Sequence, residues 1–282
     1  MNYSDFIDMR GITLQMGIEA TNTWTEKSIT SNYAWYSVCW SPELGIFVAV
    51  NQSSAAFVMT SPDGINWTNR AISYNRAWVS VCWSPELGIF VAVNAGSAAC
   101  VMTSPDGINW TERISGVVQR IWGSVCWSPE LGIFVAVNYV SSACVMTSPD
   151  GITWTERTSG VVNRAWNAIC WSPELGIFVA VNQSSAACVM TSPDGITWTE
   201  RTSGVVQRNW QSVCWSAELG IFVAVNYSSS ACVMTSPDGI TWTERTSGVV
   251  YRTWNSVCWS PELGIFVAVN QSSAAVVMVS KM

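Results

Sequence analysis

Followed as apolar and polar positions, the chain is one short pattern repeated end to end. In its first full copy an aromatic and aliphatic run, Trp35-Tyr36-Ser37-Val38-Cys39-Trp40, is followed by a Ser-Pro-Glu-Leu-Gly break. A second run, Ile46-Phe47-Val48-Ala49-Val50, ends on Asn51, and a third covers Ala56 to Ser61. A Ser-Pro-Asp-Gly break then leads to Trp67, which opens a fourth. Short runs rich in β-branched and aromatic residues, bounded by Pro, Gly, Asn and Asp, predict four strands. Pro occurs only in the breaks, where a missing N–H does no harm. The second and third runs are apolar at successive positions, whereas a strand with one wet face alternates. Both faces of the predicted sheet must therefore be covered.

The copies show how. Trp-Ser-Pro-Glu-Leu-Gly-Ile-Phe-Val-Ala-Val begins at Trp40, Trp83, Trp127, Trp171 and Trp259, and at Trp215 with Ala217 in place of Pro, a spacing of 43 or 44 residues. Four strands in a period of about 44 residues are the signature of a β-propeller blade, which is covered on both faces by other blades. The final copy stops after its third strand, while Trp24-Thr25-Glu26 near the start is a fourth strand without a blade. Pairing the two closes a ring and removes its open edges. The fold class expected is all-β: a single six-bladed β-propeller of four antiparallel strands per blade over residues 21–282, closed by the N-terminal strand on the last blade. Residues 1–20 match no part of the repeat and are expected to form a leader outside it.

Composition narrows the function classes. Lys and Arg number 13 against 19 Asp and Glu, for a net charge of −6, and the basic residues are spread through the repeats. Nucleic acid and anionic membranes are bound through clustered basic side chains, so neither is an expected partner. The start of the chain carries Asp5, Asp8 and Arg10 without an apolar core segment, and no apolar run approaches a bilayer span. An intracellular or particle-associated protein is expected. Of the 10 Cys, six recur as Cys39, Cys82, Cys126, Cys170, Cys214 and Cys258, and four as Cys100, Cys144, Cys188 and Cys232, a slot filled elsewhere by Phe57 and Val276. A slot that accepts Phe or Val is apolar, so free buried thiols are expected. With no His and no close Cys pairs, neither a metal nor any other cofactor is expected.

The element Ser-Pro-Asp-Gly-Ile-(Asn/Thr)-Trp, at 61–67, 104–110, 148–154, 192–198 and 236–242, resembles the Asp-box (BNR) repeat of sialidase-like propellers, one residue shorter between Asp and Trp. That resemblance implies that Asp63, Asp106, Asp150, Asp194 and Asp238 hold turns, a role that also suits Asp beside Gly in general. The near-identical blades resemble tachylectin-type lectin propellers, which implies repeated sugar sites. The Trp-Ser-Pro-Glu-Leu-Gly unit resembles repeats of phage and large DNA virus proteins, which implies a scaffold.

A sialidase-like enzyme needs singular residues, yet nearly every charge here belongs to a repeated set, and no His is present to act as a base near neutral pH. The chain is expected not to be an enzyme; a glycosidase is the least favoured reading. Between copies, the breaks after the first and third strands barely vary, while the two connections on the opposite face do. Aromatic faces stack on sugar rings, and amides and guanidinium groups bond hydroxyls. The expected ligand-binding residues are Trp35, Trp78, Trp122, Trp166, Trp210 and Trp254, with Arg76, Arg120, Arg164, Arg208 and Arg252, and Asn51, Asn94, Asn138, Asn182, Asn226 and Asn270. The expectation is a multivalent lectin-like monomer binding carbohydrate, with a protein-interaction scaffold as the alternative; the opening Trp series is equally open to a packing role.

Overall fold

The computed structural model describes residues 24–28, 35–52, 57–73, 75–96, 100–117, 120–140, 144–161, 164–182, 188–205, 209–227, 232–246, 253–261, 263–270 and 276–281. The expected leader, residues 1–20, lies outside them. Six four-stranded antiparallel sheets are formed. The chain begins with β1 (Trp24–Ser28). Blade one is β2 (Trp35–Ser41), β3 (Ile46–Asn51), β4 (Phe57–Ser61) and β5 (Thr68–Ala71). Blade two is β6 (Trp78–Ser84), β7 (Ile89–Asn94), β8 (Cys100–Ser104) and β9 (Thr111–Ile114). Blade three is β10 (Trp122–Ser128), β11 (Ile133–Asn138), β12 (Cys144–Ser148) and β13 (Thr155–Thr158). Blade four is β14 (Trp166–Ser172), β15 (Ile177–Asn182), β16 (Cys188–Ser192) and β17 (Thr199–Thr202). Blade five is β18 (Trp210–Ser216), β19 (Ile221–Asn226), β20 (Cys232–Ser236) and β21 (Thr243–Thr246). Blade six is β22 (Trp254–Ser260), β23 (Ile265–Asn270) and β24 (Val276–Lys281), completed by β1. The closure runs in register from Trp24 opposite Ser280 to Ser28 opposite Val276.

The apolar second and third strands are buried because neighbouring blades cover them. Between blades one and two, Val48, Val50 and Val58 meet Trp78, Val81, Trp83, Phe90, Ala92 and Met102, and the other described boundaries are built alike. The Glu of five first turns clamps the next blade: Trp83 Nε1 donates to Glu43 Oε2 at 2.6 Å, and Trp127, Trp171, Trp215 and Trp259 donate to Glu86, Glu130, Glu174 and Glu218 in the same way. In the second turn, Gly107 has φ +71° and a Cβ there would come within 2.7 Å of Val48 in the preceding blade, so the turn needs Gly for conformation and for space.

The innermost strands line the central channel. Each has an inner edge without a ladder partner, and for five of the six a Ser of the preceding blade supplies one. Val38 N–H donates to Ser256 Oγ at 3.0 Å, Val81 N–H to Ser37 Oγ at 3.1 Å, Val125 N–H to Ser80 Oγ at 3.0 Å, Ile169 N–H to Ser124 Oγ at 3.2 Å and Val257 N–H to Ser212 Oγ at 3.1 Å. Cys39 Sγ donates to the carbonyl of Trp40 at 3.5 Å. Buried N–H groups need partners, and side chains of one blade serve the backbone of the next. Cys39, Cys82, Cys126, Cys144, Cys170, Cys214 and Cys258 are free thiols, and burial pushes Cys39 to about 12.

Candidate functional site

Each innermost strand carries the same irregularity. In blade one Trp35 pairs with Asn51 and Ser37 with Val50, so Tyr36 is an extra, unpaired residue. The equivalent residues are Val79, Gly123, Asn167, Gln211 and Asn255. A β-bulge re-aims the side chain it carries. Here the six bulged residues meet around the channel axis, with the Ser ring beneath them. They are also where blades that are otherwise near-copies differ: a phenol, a valine, a glycine and three amides.

The amides form a chain of hydrogen bonds across the opening. Asn167 Nδ2 donates to the carbonyl of Trp210 at 3.0 Å and to Gln211 Oε1 at 3.1 Å. Gln211 Nε2 donates to the Tyr36 hydroxyl at 2.7 Å, joining blade five to blade one. Asn255 Nδ2 donates to the carbonyl of Trp35 at 3.2 Å. A carbonyl only accepts, so these contacts turn both Asn side-chain oxygens away from the wall. Asn167 Oδ1 and Asn255 Oδ1 are buried and have no partner. Burial first, then Tyr139 and Tyr227, push the Tyr36 hydroxyl up to about 12 against the pull of the Gln211 bond, so it stays a neutral donor. Gly123 lets the backbone of blade four come close: a Cβ there would sit 2.4 Å from the Trp166 carbonyl.

Above this waist lies a cavity of about 200 Å³ lined by Tyr36, Gln52, Val79, Ala95, Ile121, Trp122, Gly123, Tyr139 and Asn167. None of these is charged at neutral pH. The waist itself encloses about 20 Å³, the space of a single small group.

The residues expected from sequence are placed otherwise. The opening Trp are buried in the blade boundaries, from fully buried Trp78 to 2% exposed Trp122 and Trp210, so they offer no open ring face for stacking; only Trp122 borders the cavity. Asn51, Asn94, Asn138, Asn182 and Asn226 are equally buried. Their work is local: Asn94 Oδ1 accepts from Gly96 N–H at 2.8 Å and Asn138 Oδ1 from Val140 N–H at 2.7 Å, folding back the following loop. The Asn270 side chain, Arg208 and Arg252 lie outside the described residues. Arg76 pairs with Glu112, Arg120 with Glu156 at 2.6 Å and Arg164 with Glu200 at 2.9 Å, each reaching strand four of its own blade rather than the channel. The hydrogen bond from Arg120 also holds Glu156 below its usual pKa. At the turns, Asp63 Oδ1 accepts from the backbone N–H of Ile65 at 2.8 Å and Asn66 at 2.7 Å, and the other four Asp repeat this. Sequence reasoning passed over the residue after each opening Trp. Its variation between near-identical copies was the available signal, but an undistorted strand would have paired that residue in the sheet.

No protein-family model matches the chain, and no curated protein sequence matches it. Solved structures do match its fold. A luciferin-regenerating enzyme superposes with a TM-score of 0.68 at 12% identity, covering 92% of this chain and 96% of its own. A gluconolactonase from Xanthomonas campestris gives 0.68 at 10% identity, over 89% and 86%. YCF48 bound to D1 peptide gives 0.62 at 12% identity, over 92% and 95%. At these identities the likeness is one of fold. It corrects the expectation that the chain is not an enzyme: the same fold carries proteins described as enzymes. None of these three is described as an Asp-box or tachylectin protein. Among the described residues no helix is long and apolar enough to cross a membrane.

Proposed function

We propose that the chain is a ring-shaped binding protein with a single asymmetric site at the channel mouth, taking a small uncharged polar ligand of the carbohydrate class. The supporting observation is that the blades differ at the bulged residue, where five side chains and Gly123 face one axis. Amides and phenols around an uncharged cavity of about 200 Å³ suit a ligand rich in hydroxyls, which both donates and accepts. The lectin-like reading thus moves from six sites between blades to one on the axis.

Calorimetric titration with neutral mono- and disaccharides tests this. One equivalent per ring is expected, with affinity reduced about tenfold or more by Tyr139→Ala, the loss of one aromatic contact and one hydroxyl. Absence of heat with every sugar, from folded protein, would sink the proposal; six equivalents would restore the inter-blade sites.

A protein-docking scaffold is the second reading, favoured by the opposite face. There Leu44, Leu87, Leu131, Leu175 and Leu263, with Ile65, Ile108, Ile152, Ile196 and Ile240, are each about four-tenths exposed. They sit in turns that carry Glu or Asp and neither Lys nor Arg. Contiguous exposed apolar surface marks interaction sites, and YCF48 is a ring of this fold described with a bound peptide. Titration with a cationic amphipathic peptide is expected to show binding that Leu87→Ser with Leu131→Ser weakens and Tyr139→Ala leaves unchanged. Equal binding by all three proteins counts against it.

A further inference from the structure

The channel mouth is lopsided. Two positions of each blade vary there: the bulged residue of the innermost strand and the residue after the Asn that ends the second strand. In five blades at least one of the two is Tyr, Asn or Gln; in blade two they are Val79 and Ala95, and neither is polar. The cavity of about 200 Å³ lies over that same sector, since its lining comes from blades one to four and includes Val79, Ala95 and, just before blade three, Ile121. Val79 and Trp122 belong to one buried cluster, and Tyr36 and Ala95 pack against it. The apolar wall is thus fixed by the blade boundary beneath it. Tyr36, Gln52, Tyr139 and Asn167 bring polar groups to the rest of the lining.

A wall of this kind sorts the edges of a sugar. A hydroxyl pressed against it gives up its water and finds no partner, which costs as much as any buried unsatisfied polar group. A methyl group in the same place is buried at a gain. We infer that the axial ligand carries methyl where common hexoses carry hydroxymethyl, a 6-deoxyhexose, with that methyl against Val79, Ala95 and Ile121. Its ring hydroxyls then turn toward Tyr36, Gln52, Tyr139 and Asn167, which both donate and accept. This rests on the proposed axial sugar site. It adds which edge of the sugar is selected and which blade selects it. Blade two departs from the other blades at both variable positions, and in the same apolar direction, under one cavity.

The test is calorimetric titration of the full chain with pairs of sugars that differ only in the hydroxyl at carbon six: L-fucose with L-galactose, L-rhamnose with L-mannose, and 6-deoxy-D-glucose with D-glucose. In at least one pair the deoxy sugar is expected to bind about tenfold more tightly, the cost of leaving one buried hydroxyl unpaired. Val79→Thr and Ala95→Ser each add a hydroxyl to the wall at little change in volume. Either is expected to cut the advantage to about threefold or less, chiefly by strengthening the parent hexose. Ala95 is partly exposed, so its variant decides the matter alone should Thr at the buried position 79 unfold the ring. Tyr139→Ala is expected to weaken both members of the pair and keep their ratio. Equal binding within every pair, or tighter binding of the parent hexose, overturns the methyl inference and leaves the sugar site standing. An advantage that persists undiminished in both wall variants overturns the assignment to blade two. Binding of none of the six sugars removes the underlying site as well.

Discussion

Ser37 and its equivalents show how much of this ring depends on single small side chains. An innermost strand has no sheet neighbour on its channel side, and a hydroxyl from the preceding blade takes up one of its free N–H groups. Blade four departs from the pattern: Ala168 stands where the other blades have Ser and has no hydroxyl to offer Val213. Ala168 is 5% exposed, so the backbone opposite it is short of a partner that the rest of the ring possesses. Ala168→Ser is expected to complete the circle and raise stability by about 0.5–1 kcal/mol, the net worth of a neutral hydrogen bond. Urea denaturation reads this as a higher midpoint at unchanged slope. A midpoint that falls would mean that Val213 is served in another way and that the hydroxyl is merely buried.

At the level of the element, the unit that recurs is the turn between the third and fourth strands. Ser148 Oγ accepts from Gly151 N–H at 2.9 Å, Asp150 Oδ1 accepts from Ile152 at 2.8 Å and Thr153 at 2.7 Å, and Trp154 Nε1 donates to the Gly151 carbonyl at 3.2 Å. Burial, the largest single influence on Asp150, raises its pKa, but hydrogen bonds from Thr153, Ile152 and Ser148 together outweigh it and leave the carboxyl below its ordinary value. A carboxyl with a lowered pKa in the folded state binds fewer protons there than in the unfolded chain. Its stabilisation is fully present above the unfolded pKa of about 4 and is lost as pH falls through the folded value. Five turns share this property, so thermal unfolding is expected to soften steeply on acidification below about pH 4. Asp150→Asn together with Asp194→Asn is expected to lower the melting temperature at pH 7 and to flatten its acid dependence. A double variant with the wild-type acid slope would show that other carboxylates govern it. These turns were legible from sequence because Asp-Gly followed by Trp at fixed spacing leaves few conformations. The Glu43–Trp83 clamp was not, since 40 residues separate its partners.

The whole molecule was legible for a related reason: repetition makes every copy testify to the same strands, and the mismatch between the two ends pointed to their pairing. The candidate site was far less so. Repetition directed attention to what the copies share, namely Trp35, Asn51 and their equivalents, and these turn out to be buried between blades. The bulge that presents Tyr36, Gln211 and Asn255 to the axis is a register shift invisible in a pattern of apolar and polar residues. The ring has one joint of a different kind from the rest, because blade six is assembled from both ends of the chain. Its fourth strand, β1, is held by pairing with β24 from Trp24–Ser280 to Ser28–Val276 and is covalently continuous only with blade one. Without that strand β24 exposes an unpaired edge, which invites pairing with another chain. A chain lacking residues 1–28 is therefore expected to keep its six innermost strands but to associate through β24, or to exchange strands between rings. Size-exclusion chromatography with light scattering should show a monomer for the full chain and larger species for the shortened one. A synthetic peptide spanning residues 21–32, added in excess, is expected to return the shortened chain to the monomer by filling the vacant edge. A shortened chain that is monomeric and as heat-stable as the full one would show that the blades hold the ring closed by their faces alone and that the joint contributes nothing to it.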